Sequence, residues 1–232
     1  MTASYDNPPH LAARGTVVVL PGRGESPAVY ERLGTRLAFD AYRVRVLDDP
    51  TRDPAATTTA VKELLAEGTG PRVLLGSDTG ALFAARLVAD GTVSVDGVVL
   101  AGLPLAAPSG SAPGWEAELE ARTTCPTHRG RLTEDPDVRR GALWTAPPAE
   151  WHADPAAVTV PVLGVHGQDD LLSTVDGVRD WFARLPDGVL VSLAGTTHDA
   201  LNGQTHRTAA ALVVRFLERL RSGADIERVE VP

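Results

Sequence analysis

Val73-Leu74-Leu75 is followed at once by Gly76-Ser77-Asp78-Thr79-Gly80, and a run of good helix formers begins at Ala81. A short apolar run that stops at glycine is typical of a strand buried on both faces. The turn after it matches the pattern G-x-nucleophile-x-G, in which small residues let two chain segments pass closely and the central side chain stands at a helix N-terminus. The stretch therefore predicts a strand–turn–helix unit that presents the Asp78 carboxylate at the edge of a sheet.

The pattern of strand and helix repeats on both sides of this unit. Strands are predicted at 16–20, 42–47, 73–75, 97–101, 162–165 and 189–193, and helices at 28–39, 57–67, 81–89, 175–185 and 205–221. Such alternation predicts an α/β fold with a mainly parallel sheet and helices on both faces. A chain of 232 residues fits a single domain of this kind.

The alternation stops between residues 104 and 159, where proline, glycine and charged residues mix with three tryptophans. A segment this long between two core strands exceeds a plain connection, and long insertions usually cover sites. We therefore expect a cap at 104–159, between a first part of the core at 1–103 and a second part at 160–232. Short helices are predicted within the cap at 115–123 and 137–143. The alternative is a packing segment unconnected with the site.

Further polar residues follow two other predicted strands. Asp169 and Asp170 come after the strand at 162–165, and His198 comes after the strand at 189–193. Ligands of open α/β sheets bind at the carboxyl ends of the parallel strands, so these residues should lie near the elbow. We expect Asp170, or less favourably Asp169, to orient His198 as a general base.

Several of these residues have a second interpretation. Asp78 also suits the N-cap of a helix, for which aspartate is a preferred residue, and that alternative stays open. Ser77 is a fallback nucleophile beside the elbow apex. Cys125 fits a buried small apolar residue better than a nucleophile, since no glycine-lined turn presents it. His166 is expected to make structural hydrogen bonds.

Together these stretches resemble the α/β-hydrolase superfamily over residues 16–220, and the chain around His198 resembles its monoacylglycerol-lipase-like and lysophospholipase-like branch. The matching stretches are Leu20-Pro21-Gly22-Arg23-Gly24-Glu25 in the place of the oxyanion loop, the elbow, the Gly167-x-x-Asp170 turn, and His198 before a closing helix. The resemblance implies an oxyanion hole made by the backbone N–H groups of Arg23 and Thr79. The two antiparallel strands that usually lead this fold have little room before Gly15.

Asp78 departs from the lipase-like branch, whose members carry serine there, and matches the dehalogenase and epoxide-hydrolase branches. The resemblance thus implies an Asp-His-Asp triad of Asp78, His198 and Asp170 that acts on a small organic substrate through an alkyl-enzyme ester. The alternatives are a hydrolase of carboxylic esters, thioesters or lactones, a non-hydrolytic cyclase-like or lyase-like descendant, and a catalytically dead binding protein. Substrate contacts in the cap are expected from Trp115, His128 and Trp144.

Composition narrows the class of partner. The net charge of −8, with a single lysine and no basic run, argues against binding to nucleic acid or to an anionic membrane surface. With one cysteine and no metal-binding motif, neither a disulfide, a metal nor a cofactor is expected. The first residues lack the pattern of a signal peptide, and no segment approaches the roughly 20 apolar residues of a membrane span. We therefore expect a cytoplasmic enzyme without a membrane anchor, for which a homodimer is one possible assembly, with a surface-lying tail after Ser222.

Overall fold

A seven-stranded sheet runs through the computed structural model, which describes residues 2–106 and 114–223. The strands are β1 (Ala3–Tyr5), β2 (Gly15–Leu20), β3 (Tyr42–Val46), β4 (Arg72–Ser77), β5 (Gly97–Ala101), β6 (Val162–Gly167) and β7 (Gly188–Leu193). Their order across the sheet is β1-β3-β2-β4-β5-β6-β7, and every neighbouring pair is parallel except β1 with β3. The predicted α/β fold with a mainly parallel sheet is confirmed.

Helices cover both faces of the sheet. The α-helices are α1 (Glu31–Phe39), α2 (Pro54–Glu67), α3 (Thr79–Ala89), α4 (Trp115–Arg122), α5 (Pro126–Glu134), α6 (Val175–Phe182) and α7 (His206–Ser222). Successive strand side chains point to opposite faces, so Val17 and Val19 belong to the apolar layer that includes α1 and α7, whereas Val18 belongs to the layer that includes α2, α3 and α6. The core is therefore two apolar layers separated by the sheet.

Near the N-terminus the structure contains a short leading strand that the sequence pattern does not predict. β1 pairs with β3, and its Tyr5 ring lies against Gly34 of α1, where an added Cβ would come within 2.3 Å of the ring. Helix α2 also begins earlier than predicted. Asp53 accepts a hydrogen bond from the Ala56 N–H at 2.9 Å and Pro54 occupies the first turn, which together fix an earlier start.

The segment between β5 and β6 is only partly as predicted. Helix α4 matches the helix predicted at 115–123. The prediction of a helix at 137–143 is wrong, because α5 forms earlier in the chain and Ala142–Trp144 makes a single 3-10 turn. Gly141 has φ +86° and gives its N–H to the Glu118 carboxylate, which breaks helical continuity there. Part of the expected cap, at 107–113, and the expected surface tail, at 224–232, lie outside the described residues.

This segment packs into both core layers. Leu119 of α4 and Leu132 of α5 join the layer of α1 and α7. Trp151 joins the other layer, is 1% exposed, and places its ring 4.4 Å from that of Phe83. The division of the chain into two core parts and a cap at 104–159 stays a prediction. Among the helices within 2–106 and 114–223, none has the length and apolar character needed to cross a membrane.

Candidate active site

Asp78 stands on a tight turn between β4 and α3. Its backbone angles, φ +48° and ψ −124°, lie in a sparsely populated region whose strain is of order 1–3 kcal/mol. The flanking glycines make the turn feasible: a Cβ on Gly76 would lie 2.3 Å from the Gly80 carbonyl oxygen, and one on Gly80 would lie 2.2 Å from that of Leu20. Asp78 occupies the N-cap position of α3, but its side chain makes no capping hydrogen bond. The carboxylate is instead directed to long-range partners.

The three residues predicted as a triad meet at this sheet edge. His198 Nε2 lies 3.1 Å from Asp78 Oδ1, and His198 Nδ1 lies 2.8 Å from Asp170 Oδ2. The other oxygen of Asp170 accepts the N–H groups of Leu172 at 2.9 Å and Ser173 at 3.1 Å, which fixes its carboxylate. Asp170 rather than the exposed Asp169 therefore contacts the histidine.

Burial and charge act in opposite directions on the triad. Burial raises the pKa of Asp78, but Arg23 and His198 outweigh it and hold the pKa well below its usual range. Burial lowers the pKa of His198, but Asp170 and Asp78 raise it to about 10. At neutral pH the site therefore contains a histidine cation between two carboxylates.

The backbone and the side chain of Arg23 both bind the elbow carboxylate. The Arg23 backbone N–H donates to Asp78 Oδ2 at 2.9 Å. Its side chain donates from Nε to Oδ2 at 2.8 Å and from Nη2 to Oδ1 at 2.7 Å, and Nη1 donates to the Thr145 carbonyl oxygen. The sequence predicts an oxyanion-hole role for the Arg23 backbone N–H, which stays a prediction, and it does not predict this pairing of the Arg23 side chain with Asp78. The oxyanion role of Thr79, the first residue of α3, stays a prediction.

A second buried polar group, which we call the Arg122 cluster, lies beside the triad. It consists of Glu25, Tyr30, Glu118, Arg122, His128 and Asp199. Arg122 donates from Nη2 to the Arg23 carbonyl oxygen at 2.6 Å and to Glu118 Oε1 at 3.0 Å. The Arg122 carbonyl accepts the Asp199 N–H at 2.8 Å. One residue of α4 thus ties the oxyanion loop to the loop that holds His198.

Three members of this cluster have the donor set of a metal site. Ligand atoms of Glu25, His128 and Asp199 all lie within 4.8 Å of one another. Arg122 Nη1, however, lies 3.8 Å from Glu25 Oε1 and 3.7 Å from Asp199 Oδ1. The guanidinium already supplies the positive charge between the two carboxylates and would repel a cation. The residues present do not fit a metal ion.

Titration of this buried region predicts a stability that declines with pH. Burial raises the pKa of Glu25 from 4.5 to about 8, and the pKa of His198 is raised from 6.5 to about 10. Between pH 4.5 and about 8 for Glu25, and between pH 6.5 and about 10 for His198, the folded protein holds more protons than the unfolded chain. Each group therefore lowers the free energy of unfolding as pH rises, by up to about 1.4 kcal/mol per pH unit. Urea unfolding of the unaltered protein and of the Glu25→Gln variant between pH 5 and pH 10 measures this decline. The variant should show a flatter profile from pH 5 to 8 and the same decline above; parallel profiles would contradict the assignment.

The remaining residues that the sequence marked as candidates are buried or partly buried, and their contacts differ. His128 Nε2 lies 2.8 Å from Asp199 Oδ2 within the Arg122 cluster, and the buried indole N–H groups of Trp115 and Trp144 find no hydrogen-bond partner among the described residues. Their contact with substrate stays a prediction. His166 Nε2 lies 2.7 Å from the Ser173 carbonyl oxygen, which agrees with a structural role, and Cys125 is buried.

No family model matches the sequence, and no curated protein matches it. Solved structures are similar over nearly the whole chain. A monoacylglycerol lipase from Paleococcus ferrophilus has a TM-score of 0.76 and 20% identity, covering 97% of this chain and 99% of that one. A soluble variant of the monoglyceride lipase from Saccharomyces cerevisiae has a TM-score of 0.77 and 15% identity, with 94% and 91% covered. An esterase from Rhodococcus has a TM-score of 0.70 and 22% identity, with 94% of each chain covered.

At these identities the similarity establishes the fold. The chain has the α/β-hydrolase fold that the sequence resemblance implied, with the elbow, the acid turn and the histidine loop in their expected places on the sheet.

Proposed function

We propose that this protein is a hydrolase in which Asp78 is the nucleophile, His198 the general base and Asp170 the residue that orients the base. The observation that carries the proposal is the placement of the two Asp78 oxygens. Oδ1 lies 3.1 Å from His198 Nε2, and Oδ2 accepts the Arg23 backbone N–H at 2.9 Å. One oxygen is thus beside the base, and the other already occupies the place of an oxyanion.

In the first step Asp78 Oδ1 attacks an sp³ carbon of the substrate. A carbon–oxygen bond to the enzyme forms as the bond to the leaving group breaks, and the leaving group departs with the electron pair. No base is required, because the pKa of Asp78 lies well below its usual range and the carboxylate is ionised at neutral pH. The product of this step is an alkyl ester of Asp78.

Ester formation changes the protonation of His198. The negative charge of Asp78, which helps to raise the pKa of His198 to about 10, disappears when the carboxylate becomes an ester. The histidine cation then releases its proton to solvent more readily, and the neutral imidazole takes a proton from the attacking water. The resulting hydroxide attacks the Asp78 carboxyl carbon, the oxyanion receives the Arg23 N–H, and the alcohol leaves with the proton from His198. The neutral histidine thus arises within the cycle.

A halide is the leaving group that suits this site best. Halide departs as an anion and needs no proton donor, whereas the oxygen of an epoxide needs one. The three tyrosines of the chain, Tyr5, Tyr30 and Tyr42, all lie outside 104–159. Tyr30 donates its hydroxyl to the buried Glu25 carboxylate. We therefore favour carbon–halogen bonds over epoxides.

The similarity to lipases and an esterase favours a second candidate, the hydrolysis of a carboxylic ester. Attack by the Asp78 carboxylate on an ester carbonyl would give an anhydride, which is a poor resting point. In that case Asp78 would instead help to activate water without forming a bond to the substrate.

Oxygen labelling separates the two candidates. The tryptic peptide 73–86 contains one side-chain carboxylate, that of Asp78. After many turnovers of a small chloroalkane, epoxide or acetate ester in ¹⁸O-water, digestion in ordinary water and mass measurement report the label in that peptide. The alkyl-ester route predicts heavy oxygen in peptide 73–86, because each hydrolysis leaves one water oxygen on Asp78. Turnover without label would reject the nucleophile, and enzyme incubated without substrate is the control.

A further inference from the structure

The Asp78 carboxylate is fully engaged in this structure. Oδ1 accepts from Arg23 Nη2 and His198 Nε2, and Oδ2 accepts from the backbone N–H and Nε of Arg23. A carboxylate offers about four lone-pair sites, so all of them are used. Attack on carbon needs a free lone pair. The Arg23 side chain must therefore leave Oδ1 before Asp78 can react.

Release of this side chain leaves a buried cation to be satisfied. The Arg23 and Asp78 side chains are only 1% and 2% exposed, and a buried guanidinium without an anionic partner is strongly unfavourable. The Thr145 carbonyl, which Nη1 already binds, is neutral and cannot replace the lost charge. Arg23 therefore needs another anion when Asp78 reacts.

The carboxylates of the described residues near the oxyanion loop already have hydrogen-bond or ion-pair partners. Asp49 accepts the Gly24 N–H at 2.7 Å and pairs with Arg139. Glu25 accepts hydrogen bonds from the Tyr30 hydroxyl and the Gly22 N–H, and it lies 3.8 Å from Arg122 Nη1. Glu118 and Asp199 contact Arg122, and Asp170 contacts His198.

We propose that the substrate supplies this anion: a carboxylate on the carbon next to the leaving group, as in a 2-halocarboxylate, which Arg23 binds in exchange for Asp78. The proposal rests on the proposed function. A carboxylate matches the planar fork of a guanidinium. The reacting carbon must come to about 3–3.5 Å from Oδ1, which Nη2 now contacts at 2.7 Å, so a group on that carbon lies within reach of Arg23.

The reaction balances as a simple hydrolysis. Asp78 Oδ1 forms a bond to the carbon that carries the halogen, and halide leaves. Water then cleaves the ester at the Asp78 carboxyl carbon and releases a 2-hydroxycarboxylate. One halide and one proton are produced for each water consumed, with no change of oxidation state. The substrate carboxylate stays paired with Arg23 throughout.

Binding of unreactive isosteres tests the exchange without turnover. Isobutyrate and isobutyramide have the same shape and differ in charge, and calorimetric titration measures their affinities. Asp78→Asn removes the resident partner of Arg23, so it should bind isobutyrate at least about tenfold more tightly than the unaltered protein does, the effect of one charge-assisted hydrogen bond. Isobutyramide should show no gain. Adding Arg23→Met to Asp78→Asn should abolish the gain while circular dichroism remains unchanged.

The outcomes distinguish this inference from the proposed function. If Asp78→Asn gains no affinity for isobutyrate, or gains equally for the amide, the exchange is wrong even where ¹⁸O enters Asp78. If isobutyrate binds as expected but 2-chloropropionate neither releases chloride nor alkylates Asp78, and no ¹⁸O enters Asp78 with the other substrates, the proposed function is wrong and the carboxylate site stands. Faster chloride release from 2-chloropropionamide than from 2-chloropropionate would also overturn the substrate class.

Discussion

Asp78→Asn is expected to lower the rate of chloride release from 2-chloropropionate by about 10⁴-fold or more, because the amide that replaces the carboxylate is not a nucleophile. Chloride release under saturating substrate measures the effect. Mass measurement of the tryptic peptide 73–86 must accompany it, since deamidation of the new asparagine would regenerate the wild-type enzyme.

Ser77→Ala is the matched control. Ser77 is the buried neighbouring residue of the same turn, and its hydroxyl lies close enough to Tyr30 of the Arg122 cluster to offset part of the rise that burial causes in the pKa of that tyrosine. We expect this variant to retain activity within a small factor. An active Asp78→Asn whose mass confirms the amide, or an inactive Ser77→Ala, would move the nucleophile away from Asp78.

His198→Gln is expected to stop the reaction after the first step. Attack by Asp78 needs no base, so one chloride per enzyme molecule should still be released, and the alkyl ester should accumulate on peptide 73–86. Steady-state turnover should fall by about 10²–10⁴-fold, which is the usual contribution of a general base. Quenched-flow chloride measurement and peptide mass report the two quantities separately.

His206→Gln serves as control for this variant, because His206 lies at the start of α7, where its Nδ1 contacts the Gly203 carbonyl oxygen at 3.1 Å. It should turn over normally. Loss of the first chloride in His198→Gln would place the histidine in the first step instead, and normal turnover would remove it from the mechanism.

The parts of the site that the sequence predicts are those encoded locally. The elbow follows from two glycines around Asp78 directly after an apolar strand, and the close backbone approaches at Gly76 and Gly80 explain why the pattern is informative. Asp170 and His198 follow from strand ends in a parallel sheet. Their mutual contacts agree with the arrangement expected.

The parts that the sequence does not predict depend on contacts between distant segments. Arg23 reaches Asp78 across 55 positions of the chain, and Arg122 reaches Arg23 across 99. Nothing in the residues around Arg23 marks its side chain as buried. Helix α5 escapes prediction for a different reason: its nine residues carry Leu132 as their one large apolar side chain, so hydrophobic periodicity does not reveal it.

The pairing of Arg23 with Asp78 also constrains how this chain can change over generations. Removing one partner of a buried ion pair costs about 3–5 kcal/mol, because the other is left as an isolated charge. A lineage that replaced Asp78 with the serine of an esterase would be less stable by that amount until position 23 changed as well. Loss of the arginine first would strand the carboxylate in the same way. Substitutions at positions 23 and 78 are therefore expected to occur together among related sequences.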